Sequence, residues 1–227
     1  MPLSIIIPCL NEAERIEATL EALQPLRTRG AEVIVVDGGS SDDTLHRARG
    51  ADRVLTAPRG RGVQMNAGAA QASGDILLFL HADCRLPAEA DYLIVDGLRR
   101  NRKRWGRFDV RLESRSPLLG IVARLMNLRS RLTGIATGDQ ALFVTRTLFA
   151  AAGCFPEIAL MEDIALSRRL KRYGRPLCLR HPVAVSARRW EKHGIVATIL
   201  LMWWLRFAYW LGADPDKLAL RYASHES

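Results

Sequence analysis

Apolar, β-branched runs alternate with helical periodicity through the first 80 residues. Residues 4–9 (SIIIPC), 32–36 (EVIVV), 53–56 (RVLT) and 75–80 (DILLFL) read as strands. Most of these runs are apolar without alternation, as expected of strands buried on both faces. Between them, residues 12–23, 42–49 and 63–73 read as helices. Asn11 stands where an N-cap for the first helix is expected, and the polar Ser40-Ser41 turn opens the second. Strand and helix in alternation predict a mostly parallel sheet flanked by helices, a Rossmann-like α/β fold.

The second half changes character. Residues 88–100, 118–132 and 162–173 read as helices. Residues 105–112 (WGRFDVRL) alternate more, which predicts an edge or antiparallel strand. Residues 140–145 (QALFVT) and 176–179 read as short strands, and residues 194–212 are strongly apolar. No repeat, low-complexity segment or linker divides the chain.

The chain has 227 residues, 48% of them hydrophobic and 25% charged. That composition excludes whole-chain disorder, collagen and coiled coil. The net charge is +9, and only four of the 33 basic residues are Lys. Such an excess favours an anionic partner (a nucleotide, a phospholipid surface or nucleic acid) without choosing among them. The basic run 99–107 (RRNRKRWGR) is read as a solvated helix end and loop, and nucleic acid is not expected as a partner. Cys9, Cys84, Cys154 and Cys178 form no CxxC pair, so reduced thiols are expected. Residues 1–10 lack the basic start of a signal peptide, and a cytoplasmic location is expected.

Parallel sheets bind ligands at the carboxyl ends of their strands. Pro8-Cys9-Leu10-Asn11-Glu12 follows the first strand, and Asp37-Gly38-Gly39-Ser40-Ser41-Asp42 the second. Arg59-Gly60-Arg61-Gly62 follows the third and His81-Ala82-Asp83 the fourth. Each has a plain alternative: a helix cap, a tight turn or a solvated charge. Four such ends in succession point to one crevice.

The series PCLNE, VVDGGSSDDT, RGRGVQMNAGA, LFLHAD, GDQALFV and MEDIALSRRL resembles a family 2 inverting glycosyltransferase of the GT-A fold. The likeness covers roughly residues 2–190, and SARRWEKHG near the end resembles a bacterial arsenosugar-biosynthesis-type subgroup. The resemblance implies transfer of a sugar from a nucleotide-diphosphate sugar to an acceptor hydroxyl. A UDP-sugar is the commonest donor of the family, with GDP and other bases open. Pro8, Asn11, Glu12, Asp37, Ser40, Arg61, Asn66 and Ala82 match its nucleotide-side positions. His81-Ala82-Asp83 matches its DxD motif with His for the first Asp. Asp83 is thereby implied to hold Mn²⁺ or Mg²⁺, which suits a hard carboxylate ligand. His81 is read as a metal ligand, a ribose contact or a structural residue. Asp163 of the ED pair matches the general base, with Glu162 orienting it or the acceptor. Asp139 and Gln140 match a sugar-contacting loop, with plain turn chemistry as the alternative. Arg188, Arg189 and Trp190 resemble part of the QxxRW motif of processive members, without its Gln.

The expected division is a GT-A domain over residues 1–190, then an apolar C-terminal helix and tail over 191–227. Its nucleotide-binding half is about 1–100 and its acceptor half about 101–190. In the apolar stretch 195–211 the only charge is Arg206. A charge at the middle of a membrane span costs about 2.5–3.5 kcal/mol on insertion scales. Three readings stay open: a packed or dimerising helix, a helix lying on an anionic membrane surface, and a true span. The second would put the protein on the inner face of the cell membrane and make a lipid-linked acceptor natural, a small-molecule acceptor being the alternative. A degenerate, non-catalytic binding module and a sugar-phosphate nucleotidylyltransferase are the competing functions.

Overall fold

The computed structural model describes residues 2–226 and, apart from Arg189 and 223–226, their side chains. In chain order the elements are β1 (Leu3–Cys9), α1 (Ile16–Thr28), β2 (Glu32–Asp37), α2 (Thr44–Arg47), β3 (Arg53–Thr56) and α3 (Arg61–Gln71). Then come β4 (Ile76–Phe79), β5 (Cys84–Arg85), α4 (Ala90–Arg100), β6 (Trp105–Glu113), α5 (Pro117–Thr133) and β7 (Phe143–Thr145). The chain continues through α6 (Arg146–Ala151), α7 (Glu162–Leu170), β8 (Leu177–Ser186), α8 (Arg188–His193), α9 (Ile195–Trp210) and α10 (Pro215–Glu226). One eight-stranded sheet runs in the order β3-β2-β1-β4-β7-β6-β8-β5. The first four strands in that row are parallel; β7 is antiparallel to both β4 and β6.

The continuous apolar strands are buried on both faces, as their pattern predicts. Along β1, Ile5 and Ile7 enter one apolar layer with Leu20 and Leu23 of α1. Ile6 enters the other layer, with Met65 and Ala69 of α3. Gly68 lets α3 lie this close: a Cβ there would stand 2.5 Å from Ile6 Cγ2.

Several boundaries differ from the expected ones for identifiable reasons. The first helix starts at Ile16 and Asn11 does not cap it. Asn11 has φ 54°, donates its N–H to Ser40 Oγ at 2.8 Å, and accepts from Ser41 N–H at 2.9 Å. The N–H groups of Glu12 and Ala13 are likewise taken by Thr44 Oγ1 and Asp42 Oδ2. The loop after β1 is thus tied to the loop after β2, and the helix begins only beyond it. Of the two readings for β6, the antiparallel one holds: it is interior, antiparallel to β7 and parallel to β8, not an edge. β8 spans ten residues rather than four, with a register shift opposite Phe108/Asp109 that breaks its apolar pattern. The short β5, α6, α8 and α10 were not expected.

The basic run 99–107 is split. Arg99 and Arg100 are exposed beside Asp96, but Arg107 is fully buried. It pairs with Asp109, which also receives Arg131 of α5, and it donates to the carbonyl of Asn127. A buried arginine persists where its charge is paired in this way, although its Nε is left without a hydrogen-bond partner.

Candidate active site

A pocket of about 850 Å³ opens at the carboxyl ends of β1 and β4. Pro8, Glu12, Arg61, His81, Ala82, Asp83, Asp139, Glu162 and Asp163 line it. Met202 and Arg206 of α9 and Tyr222 of α10 complete the far wall.

The loop Arg59–Gly62 turns under the pocket because Gly60, at φ 142°, adopts backbone that favours glycine. Arg61 then starts α3 and reaches the pocket. The surrounding walls disfavour its charge, but Glu162, Asp139 and Asp163 more than offset this and hold its guanidinium protonated.

His81, Asp83 and Cys84 bring one ligand atom each within 4.8 Å of one another. Burial, then the charge of Asp83, pushes the Cys84 thiol well up. The Asp83 carboxylate is a hard oxygen donor that suits Mg²⁺ or Mn²⁺, and the His81 imidazole suits Mn²⁺ better than Mg²⁺. The His81 ring lies over the backbone of Gly138, where a Cβ would come within 2.2 Å of its Cε1. His81 Nδ1 stands 3.7 Å from an Asp139 carboxylate oxygen. Burial raises the pKa of Glu12, and the nearby Asp83 adds to this against Arg15.

The carboxylate pair sits at the start of α7, where helix dipole and free N–H groups favour negative charge. Met161 turns the chain into the helix at φ 71°. Glu162 is buried, and burial followed by the charge of Asp163 raises its pKa. Asp163 is aimed by two N–H donors, Gly138 at 2.8 Å and Ile164 at 2.6 Å.

Other expected positions lie away from this pocket. Asp37 is buried in its own turn, accepting from the N–H groups of Gly39 and Ser40 at 2.9 Å and from the Ser40 hydroxyl. Asn66 clamps the backbone of Phe155 through both amide atoms. Gln140 is buried and accepts from Thr137 N–H. Arg188 is exposed and borders a smaller cleft with Asn11, Glu14 and Asp42. Trp190 packs against the core, and the side chain of Arg189 lies outside the described residues. Sequence reasoning treated Arg206 as a charge in an apolar helix; its isolation there was the sign that it faces a pocket.

A mixed sheet with a carboxylate-lined crevice at its parallel strand ends defines a GT-A nucleotide-sugar-transferase architecture. The chain belongs to glycosyl transferase family 2, whose sequence model matches residues 4–144. It is 26% identical over 186 residues to a poly-beta-1,6-N-acetyl-D-glucosamine synthase of Staphylococcus aureus (strain COL). That match covers 74% of this chain and 45% of the relative, so the chain spans about half the relative's length. Among solved structures, S. aureus TarS 1-349 superposes with TM-score 0.67 and 20% identity, over 83% of this chain and 61% of that one. The mannosyltransferase PcManGT from Pyrobaculum calidifontis, in complex with GDP-Man and Mn²⁺, gives TM-score 0.63 and 21% identity over 98% and 69%. Glucosyl-3-phosphoglycerate synthase from Mycobacterium tuberculosis, with Mn²⁺, UDP and glucosyl-3-phosphoglycerate, gives 0.57 and 24% over 81% and 70%. At these identities the structures speak for a shared fold.

Proposed function

We propose that the protein is an inverting glycosyltransferase that moves a sugar from a nucleotide-diphosphate sugar to an acceptor hydroxyl. The observation that carries this reading is the convergence of Asp83, Arg61 and Asp163 on one pocket in a family 2 fold. Pro8 and Glu12 would border the nucleotide, Arg61 would balance diphosphate charge, and Asp83, with His81 beside it, would hold Mg²⁺ or Mn²⁺. The bound cation supplies Lewis-acid stabilisation of the departing nucleoside diphosphate. Asp163 takes the proton of the acceptor hydroxyl as its oxygen bonds to the anomeric carbon. The bond from that carbon to the diphosphate oxygen breaks with its electron pair, and attack opposite the leaving group inverts the configuration. Met202 and Arg206 of α9, with Asp216, Leu220 and Tyr222 of α10, supply the acceptor-side wall. The mannosyltransferase and the glucosyl-3-phosphoglycerate synthase carry GDP-Man with Mn²⁺ and UDP with Mn²⁺, so both bases belong in the survey. Incubation with a panel of UDP-, GDP- and dTDP-sugars is expected to release one nucleoside diphosphate in a metal-dependent way; none released across acceptors, in folded protein, overturns the reading.

We further propose that the protein lies on an anionic membrane surface. Val196, Leu200, Trp203, Phe207 and Trp210 make an exposed stripe along α9, and Leu118, Ile121, Leu125, Leu128 and Leu132 make another along α5. Exposed apolar area of this extent calls for a partner. Among the described residues no helix is long and apolar enough to cross a membrane. The Ser114–Glu191 hydrogen bond brings Arg115 near Arg188 and Lys192, a cationic fringe suited to acidic headgroups. Co-sedimentation with anionic vesicles is expected at low salt and to fall at least about tenfold in Trp203→Ser/Phe207→Ser/Trp210→Ser. A stable dimer with no vesicle binding assigns the stripes to a second copy instead.

A further inference from the structure

Behind the acceptor side of the pocket lie two guanidiniums with unmet donors. Arg206 projects from α9 into the pocket wall, and Arg129 approaches it from α5. Nε and Nη2 of Arg129 and Nε of Arg206 are buried without a hydrogen-bond partner. Neither side chain has an ion pair among the described residues, in contrast to Arg107 and Arg131, which converge on Asp109. Burial, then the charge of Arg206, brings Arg129 down to about 10. Burial lowers Arg206 as well, against Asp163 and Asp139. Both residues are half-buried, and guanidinium nitrogens shut away from solvent are normally hydrogen-bonded, so two neighbours left open mark a place that a ligand completes.

We infer that Arg206, backed by Arg129, forms an oxyanion subsite on the Asp163 side of the pocket, which takes a phosphate or carboxylate carried by the acceptor. The assignment to acceptor rests on the reading of Asp163 as the base. The acids whose charge acts on both guanidiniums are Asp163 and Asp139, on the acceptor side of this reading. Planar guanidiniums bind oxyanions through paired N–H donors, and two of them confer affinity as well as orientation. The negative group would fix the acceptor so that its hydroxyl meets Asp163.

Calorimetric titration of inorganic phosphate into the full chain, saturated with its nucleoside diphosphate and Mg²⁺, tests this. Wild type is expected to bind phosphate alongside nucleotide. Arg206→Gln should weaken phosphate at least about tenfold and Arg129→Gln several-fold, with nucleotide affinity held within about twofold. Arg206→Lys keeps stem and charge, should retain an intermediate affinity, and guards against a folding defect in the Gln variants. Displacement of phosphate by nucleotide, or equal loss of nucleotide binding in Arg206→Gln, overturns the inference in favour of a donor clamp. Absence of phosphate binding by folded wild type overturns it too. A parallel arm uses vesicles containing phosphatidate: Arg206-dependent binding there identifies a lipid headgroup, and Arg206-dependent binding of soluble phosphate alone a small acceptor. Either supports the subsite. Should no nucleotide bind, phosphate titration of the free protein still reads Arg206, so the donor reading falls separately.

Discussion

An Asp163→Asn variant is expected to lose about 10²–10⁴-fold in kcat while its donor affinity stays near wild type. Asparagine nearly matches aspartate in shape but cannot take the acceptor's proton. Asp163 accepts from Gly138 and Ile164, one N–H to each carboxylate oxygen. An amide has one acceptor oxygen, so one of these N–H groups faces an NH₂ instead. The local cost is about 1–3 kcal/mol of stability, which thermal unfolding separates from the chemical effect. Glu162→Gln is the control: the carboxyl of Glu162 is buried and pushed up by burial and by Asp163, and its loss should cost less. A variant turning over within about threefold of wild type would remove Asp163 from the chemistry.

Asp83→Ala should act on binding. The metal-dependent part of nucleoside diphosphate affinity, about 100-fold or more, is expected to vanish, as it should when wild type is treated with EDTA. Asp83 is the only carboxylate in the group formed with His81 and Cys84. No neighbour in that group therefore replaces it as a hard oxygen donor. The neighbouring Glu12 reports the change independently. Its carboxyl is raised by burial and, beyond that, by the charge of Asp83, so removing Asp83 moves its pKa down. His81→Ala tests the second position: a change in preference between Mn²⁺ and Mg²⁺ marks the imidazole as a ligand, since nitrogen suits Mn²⁺ better. Full nucleotide affinity in Asp83→Ala with metal present defeats the assignment.

The parallel half was legible because its strands are buried on both faces, and continuous apolar runs signal that directly. The strand-end loops were legible for the same reason: a polar or glycine-rich break in such a run marks the sheet's binding edge. What escaped depends on partners distant in sequence. Asn11 has the residue type and position of a helix cap. Its hydrogen bonds instead go 29 and 30 residues ahead, to Ser40 and Ser41. Strand β8 is carried by β6 across a register shift, so its Arg180-His181-Pro182 segment hides a ten-residue element. Arg107 reads as one charge of a basic run until Asp109 and Asn127 are placed around it. At the site, motif positions and pocket positions overlap without coinciding. Asp83, Arg61 and Asp163 reach the cavity, whereas Asn66 and Gln140 are occupied in holding loops that shape it.

Met161, which turns the chain into the carboxylate pair, is buried against Leu205 of α9 and Leu218 of α10. On the ribosome those two helices emerge after every strand of the sheet. The donor half has what it needs to take shape while synthesis continues, but the loop that aims Asp163 gains its anchor only once α9 and α10 are free to dock. A chain interrupted before them would lack the pocket wall that Met202, Arg206 and Tyr222 supply. Timing of translation thus separates the ability to hold an activated sugar from the ability to hand it on.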